Sequence, residues 1–255
     1  MRAWWLLMVT ACGRIHFDSS DASSVAGDAA DAVDSVALPA TPFAFWSFNE
    51  ASGTTAADSS GNGHALMLVN GTTWTTGIAG TGVHTNGTNQ YLVSMSPLDL
   101  SPTSAVTVSL WMRFAYGGAT VKNVVELTPN FNAETIGLGL FVDDVMDCST
   151  SNIGVGVIGN LGGSAGCYVN PGSLTWHHLV AVYDKSLPGC CETALYIDGV
   201  AQTEMPTFNS DNSNSFGVAT LYLLSRGGTT SFASADLDEL AIFSRALTPA
   251  EIASF

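Results

Sequence analysis

A two-sheet antiparallel β-sandwich of jelly-roll type, an all-β fold with a short C-terminal helix, is predicted by three observations. Short runs of β-branched and aromatic residues recur between clusters of Gly, Asn, Asp and Ser, with no helical block among them. Val106, Val108, Leu110 and Met112 alternate with Thr107, Ser109, Trp111 and Arg113, the period-2 pattern of a strand with one buried face. Near the end, Thr248-Pro249-Ala250-Glu251 is a capping box with Pro at the first helical position, and Phe255 follows within a turn or so. A chain of 255 residues with 46% hydrophobic content buries a large single core.

In chain order, Arg2 and a short apolar run containing Trp4, Trp5, Leu6 and Leu7 come first. The run is far below the roughly 20 residues that span a bilayer, so residues 1–11 read as a signal peptide. Val9-Thr10-Ala11-Cys12 resembles the bacterial lipoprotein processing box, which implies a lipid on Cys12; the alternative is an ordinary signal peptide with a chance Cys. Residues 12–42 form a tether: Asp18, Asp21, Asp28, Asp31 and Asp34 repel one another, and few large apolar side chains are present to pack. The expected location is the cell envelope, lipid-anchored at the outer membrane, or the extracellular space.

The domain spans residues 43–255. Phe43-Ala44-Phe45-Trp46-Ser47-Phe48 is too aromatic and too short for a helix stripe and reads as a strand. A loop rich in Asn, Asp, Ser and Gly follows over residues 49–62. Further strands are expected at 64–69, 83–85, 91–93, 121–127, 135–142, 153–158, 176–183, 192–197, 200–205, 218–224 and 236–243, with Asp198-Gly199 as a hairpin turn.

Trp46-Ser47-Phe48-Asn49-Glu50-Ala51-Ser52-Gly53 and Asp58-Ser59-Ser60-Gly61-Asn62-Gly63 carry a family likeness. So do VTVSLWMRF from Val106, Trp176-His177-His178, Leu195-Tyr196-Ile197-Asp198-Gly199 and DLDELAIFSRALTPAEI from Asp236. Together they resemble laminin-G-like jelly rolls of the concanavalin A-like lectin and glucanase group. The resemblance implies that the first and last strands are neighbours. It also implies a structural calcium ion beside the first loop, for which Asp58, Asn62, Asp238 and either Asn49 or Glu50 are the candidate ligands. The competing reading is that Asp58 only caps its turn by accepting amide hydrogens.

Cys148, Cys167, Cys190 and Cys191 follow Cys12, and export predicts pairing. Four Cys allow three connectivities: Cys148 and Cys167 flank one expected strand and could meet across a hairpin, in which case Cys190 and Cys191 form a vicinal bridge or stay thiols. His177 and His178 are strand neighbours on opposite faces, unable to share one ion, and are read as structural. Asp143, Asp144 and Asp147 lack regular calcium-ligand spacing and read as a solvated loop.

The formal net charge of −15 argues against nucleic acid and anionic membrane surfaces as partners. Glucanases of the resembled group carry E-x-D-x-x-E or E-x-D-x-E on one strand. The nearest stretch here, Asp236-Leu237-Asp238-Glu239-Leu240-Ala241, has no third acid, which argues against an enzyme. The leading expectation is a surface-tethered, lectin-like module that binds a glycan or an extracellular protein, with Trp74, Trp111 and Tyr222 as candidate stacking aromatics. The alternative is a structural or adhesive envelope domain without a small-molecule ligand.

Overall fold

The structure, a computed structural model, describes residues 37–129, 136–144, 148 and 152–255. Cys12, the tether up to residue 36 and Asp147 lie outside the described residues. The strands, numbered in chain order, form two sheets. The first contains β1 (Ala44–Trp46), β4 (Thr73–Thr76), β5 (Thr81–His84), β8 (Ala105–Phe114), β13 (Trp176–Asp184), β14 (Thr193–Ile197), β15 (Val200–Ala201) and β18 (Ala235–Phe243). Its order is β15-β14-β13-β8-β18-β5-β4, with β1 also on β18. The second contains β2 (Thr55–Ala56), β3 (Leu66–Val69), β6 (Tyr91–Ser94), β7 (Leu98–Asp99), β9 (Lys122–Thr128), β10 (Gly137–Asp144), β11 (Asn152–Gly159), β12 (Gly162–Tyr168), β16 (Met205–Phe208) and β17 (Val218–Leu223). Its order is β16-β12-β11-β10-β9-β17-β6-β3-β2, with β7 on β17. All pairings are antiparallel, so the two-sheet jelly roll expected from the strand pattern is the fold observed.

Between the sheets lies one apolar core that includes Trp46, Phe48, Leu110, Met112, Leu140, Val155, Leu221 and Leu237. Full burial of such side chains contributes about 1.5–3 kcal/mol each. Trp46 also satisfies its indole by donating Nε1–H to the His64 carbonyl at 2.8 Å. The opening strand is shorter than predicted: it ends at Trp46, and Phe48, at φ 51°, turns the chain while staying fully buried. Its partner is the last strand, with Phe45 opposite Ala241.

In β18 all nine residues are buried. A bulge between Asp238 and Ala241, with Glu239 at φ 49°, shifts the alternation by one residue. Ala235 and Leu237 therefore face the main core, and Leu240 and Ile242 face it again beyond the bulge. The opposite side of this sheet is sealed by a second cluster of Phe45, Val180, Ala241, Phe243, Leu247 and Ile252, joined by Leu38 and Phe255. The capped helix α1 (Pro249–Ile252) supplies the cover, and Leu38 brings the ordered domain a few residues ahead of the predicted boundary at 43.

Two polar groups tie the layers together. Tyr183 of β13, fully buried, donates its hydroxyl across the core to the Gly139 carbonyl of β10 at 2.9 Å. Lys185, also fully buried, donates to the Ser215 carbonyl at 2.9 Å and lies 4.1 Å from the Phe216 ring centre. Burial lowers that ammonium to about 8, partly opposed by Glu192.

Candidate functional site

The outer face of the ten-stranded sheet is built very differently. In antiparallel pairs, residues directly opposite each other point to the same side. The register aligns Tyr222, Glu126, Gly139, Gly156, Ala165 and Phe208 as one row across β17, β9, β10, β11, β12 and β16. Inward neighbours such as Leu138, Leu140, Val155 and Val157 fill the core, so this row faces out. Its centre has almost no side chain, and a cavity of about 400 Å³ opens there.

The adjacent row runs Asn123, Phe141, Gly154 and Cys167. Register shifts flank Phe141 on both sides, after Leu140 against β9 and before Asp144 against β11. Such bulges re-aim side chains, and Phe141 leans along its strand onto the row of small residues. A Cβ placed on Gly139 would lie 2.2 Å from Phe141 Cζ, and one on Gly156 would lie 3.6 Å from Cε2. The half-buried ring thus lies on a floor that only glycine at 139 permits, and Tyr183 holds that floor from beneath through the Gly139 carbonyl.

Polar groups line the margin. Asn123 is 1% exposed, and its Nδ2 is buried without a hydrogen-bond partner. Glu126, 4% exposed, accepts the Gly227 amide at 2.8 Å, and its other oxygen lies 3.8 Å from Arg226 Nε. Burial raises its pKa, against the pull of Gly227 and Arg226. Asp144 lies over Gly154, where a Cβ would come 2.3 Å from Oδ2. Exposed Phe208 bounds the far end, while Tyr222 groups with Tyr91 and, through it, Phe232 at the near end. The Cys148–Cys167 disulfide closes the end of the second row.

Phe141, Asn123, Glu126 and Phe208 were not among the residues that the sequence singled out. The signal was present as glycine at alternate positions of apolar strands: Gly137 and Gly139, then Gly154 and Gly156. Of the candidate stacking aromatics, Tyr222 alone lies on this face. Trp111 stacks on His178 in the other sheet, and Trp74 packs against the core with its indole on the Gly53 carbonyl at 3.0 Å.

Most of the oxygens nominated for calcium already accept backbone amides. Asp58 accepts the amides of Phe45, Ser60 and His64 at 3.0, 2.9 and 2.9 Å. Burial raises its pKa, but these bonds and the Ser60 hydroxyl outweigh that and hold it below the usual range. Asp238 accepts the amides of Ile78, Ala79 and Glu239. Asn49 Oδ1 accepts from Thr81, Glu50 Oε1 accepts from Ala57, and Asn62 presents its amide nitrogen to the Phe43 carbonyl. The oxygens of Asp58 and Asp238 and Asn49 Oδ1 thus face N–H dipoles, whereas Glu50 Oε2 is buried without a hydrogen-bond partner; among the described residues no group of three His, Cys, Asp or Glu is placed to hold a metal.

The other nominated residues are structural. His178 is buried, its Nε2 2.7 Å from Ser109 Oγ, while His177 turns to Asp198 at 2.7 Å. Asp143 and Asp144 are buried, not solvated: Asp143 accepts the amides of Gly117 and Gly118. Cys190 and Cys191 are exposed thiols with sulfurs 2.7 Å apart.

A search of curated proteins finds no match. Solved structures share the fold at low identity. The binding domain of botulinum neurotoxin serotype G superposes with a TM-score of 0.62 at 12% identity, over 84% of this chain and 50% of that one. The binding domain of Paraclostridial Mosquitocidal Protein 1 gives 0.61 at 16%, over 83% and 50%. This chain therefore spans about half the length of the toxin binding domains it matches. Domain 4 of AbnA, a GH43 extracellular arabinanase from Geobacillus stearothermophilus, in complex with arabinotriose, gives 0.58 at 17%, over 84% and 97%. Family comparison matches residues 86–253 to the concanavalin A-like lectin/glucanases superfamily. That match covers more than half of the chain and agrees with the sandwich seen here, so the chain belongs to this superfamily.

Proposed function

We propose that the protein is a non-catalytic, lectin-like module that binds a glycan in the groove of the ten-stranded sheet. The observation that carries this reading is the Phe141 ring lying on a floor of Gly139, Gly156 and Ala165. A flat aromatic on a floor of small residues accepts the C–H face of a sugar ring, and buried polar groups at its margin take the hydroxyls. A neighbour of the same fold, crystallised with arabinotriose, supports the ligand class.

The carboxylates in the groove support binding over hydrolysis. Glu126 turns toward Arg226 and Gly227, on the β17 side, while Asp144 leans over Gly154 of β11. Each already has a partner within the protein, whereas the paired carboxyls of a glycosidase stand free roughly 5–10 Å apart across the scissile bond. The reading includes a lipid on Cys12 and display at the cell envelope, motivated by the Val9-Thr10-Ala11-Cys12 motif. Cys12→Ser then moves the protein from the membrane to the soluble fraction; unchanged fractionation refutes the anchor.

The test of binding is a glycan array followed by calorimetry on the full chain. Phe141→Ala is expected to abolish binding while keeping the melting temperature near wild type. Undiminished binding by that variant removes the groove from the function.

A further inference from the structure

The cavity wall also says which glycans fit, an inference that rests on the carbohydrate reading above. We propose that the groove selects an uncharged oligosaccharide laid across the strands, that Asn123 donates to it, and that acidic sugars are turned away.

Charge is the first argument. Among the described residues the lining contains two carboxylates, Glu126 and Asp144, and one base, Arg226. Arg226 already faces Glu126 at 3.8 Å, and among the described residues no lysine lines the groove. A uronate or sulfate entering this half-buried site adds a negative charge where the effective dielectric is low and the one cation is engaged. Over the chain, 22 acidic residues against 7 basic ones reinforce the repulsion.

Hydrogen bonding is the second. Asn123 Nδ2 is a buried donor without a partner. Leaving such a group unpaired is costly, and an acceptor on the ligand relieves that cost. Asn123 lines the same groove one row away from the Phe141 ring, which lies over Gly139, so a ligand spanning both rows meets the aromatic and the amide. Hydroxyl and ring oxygens of neutral sugars serve as acceptors without bringing charge.

Length is the third. Glu126 to Phe208 is four strand-to-strand steps, roughly 19 Å at the usual spacing. Aromatic groups stand at both ends of the row, Tyr222 and Phe208, with the small-residue floor between them. A monosaccharide fills only part of that span.

The experiment is calorimetry on the full chain with cellohexaose, xylohexaose and arabinotriose against a galacturonic acid hexamer and a heparin hexasaccharide. At least one neutral oligomer is expected to bind, its monosaccharide at least about tenfold more weakly, and both acidic oligomers at least about tenfold more weakly. Glu126→Gln narrows the neutral-to-acidic ratio, and Asn123→Ala weakens neutral binding about tenfold, the worth of one buried hydrogen bond. Acidic oligomers that bind as well as neutral ones overturn the proposal and leave the glycan reading standing. Absence of binding by every sugar, neutral and acidic, overturns both. The charge comparison is made on the wild-type chain, so it does not depend on either variant folding.

Discussion

The two outer faces of the sandwich use the same alternation and end in opposite states. On the eight-stranded sheet, outward positions carry Phe45, Val180, Ala241 and Phe243, and the C-terminal helix with Phe255 covers them. On the ten-stranded sheet, outward positions at the centre carry Gly139, Gly156 and Ala165, and a cavity stands over them. A strand buried on both faces gains packing energy and gives up access. A strand floored with glycine gives up that packing and keeps a surface that another molecule can occupy. On the proposed reading, stability and recognition fall to different sheets.

Truncating aromatics should separate the two faces most strongly. Trp46→Ala in the shared core and Phe243→Ala on the sealed face are each expected to cost about 3–5 kcal/mol in denaturant unfolding. Phe141→Ala should cost far less and act on binding. Equal losses for Phe243 and Phe141 would erase the distinction between the faces.

Next in size is Gly139→Ala, whose Cβ meets the Phe141 ring at 2.2 Å. Displacing the ring is expected to cost about 1–3 kcal/mol and to end glycan binding. Gly163→Ala, whose Cβ meets only the Val157 carbonyl at 3.8 Å, is the matched control and should leave both unchanged. A Gly139→Ala protein that binds normally would show that the ring position is immaterial.

The sealed face should also reveal itself by pH. Asp238 and His178 both lie opposite Trp111, in one row. Burial lowers His178 to about 4, against the pull of Asp198. The unfolded chain then takes that proton first, and stability falls as pH drops from about 6.5 to about 4. Burial raises Asp238 to about 7, against the amides of Ala79, Glu239 and Ile78. Here the folded state holds a proton that the unfolded chain releases, and stability falls as pH rises from about 4 to about 7. The wild-type profile is therefore expected to be flat between pH 4 and 7. His178→Gln should expose a decline with rising pH of about 1–2 kcal/mol, and Asp238→Asn the reverse slope. Parallel profiles in the two variants would refute the opposition.

The smallest expected effect concerns calcium. With the Asp58 and Asp238 oxygens engaged by amides, millimolar calcium against EDTA should not move the melting temperature. A calcium-dependent rise that Asp58→Ala abolishes would restore the ion.

Much of the scaffold was legible in the residues. VTVSLWMRF became β8, and DLDELAIF became most of β18. Thr248 and Glu251 formed the reciprocal cap, and the first strand paired with the last. These signals are local, or were carried by the family likeness. The groove was not legible, because it exists only when register places Gly139, Gly156 and Ala165 side by side. Glycine in a strand reads as weakness until its neighbours across the sheet are known. Phe141 was harder still, since paired bulges set its direction. The Asp58 loop offered two readings from the same residues, and only the fold shows the backbone amides of Phe45 and His64 on its oxygens, which support the cap.

The floor also contains two kinds of glycine. Gly137, Gly139 and Gly154 have no room for a methyl group, with neighbours at 2.7, 2.2 and 2.3 Å, whereas Gly156 and Gly163 meet nothing closer than 3.6 Å. At the roomy pair an alanine fits at ordinary contact distance and also lowers the entropy lost on folding. The groove floor beside Phe141 can therefore gain a methyl at 156 with no penalty to the sandwich, while one at 163 stays clear of the ring. If the groove binds as proposed, its contour can change while the strands that carry it stay the same.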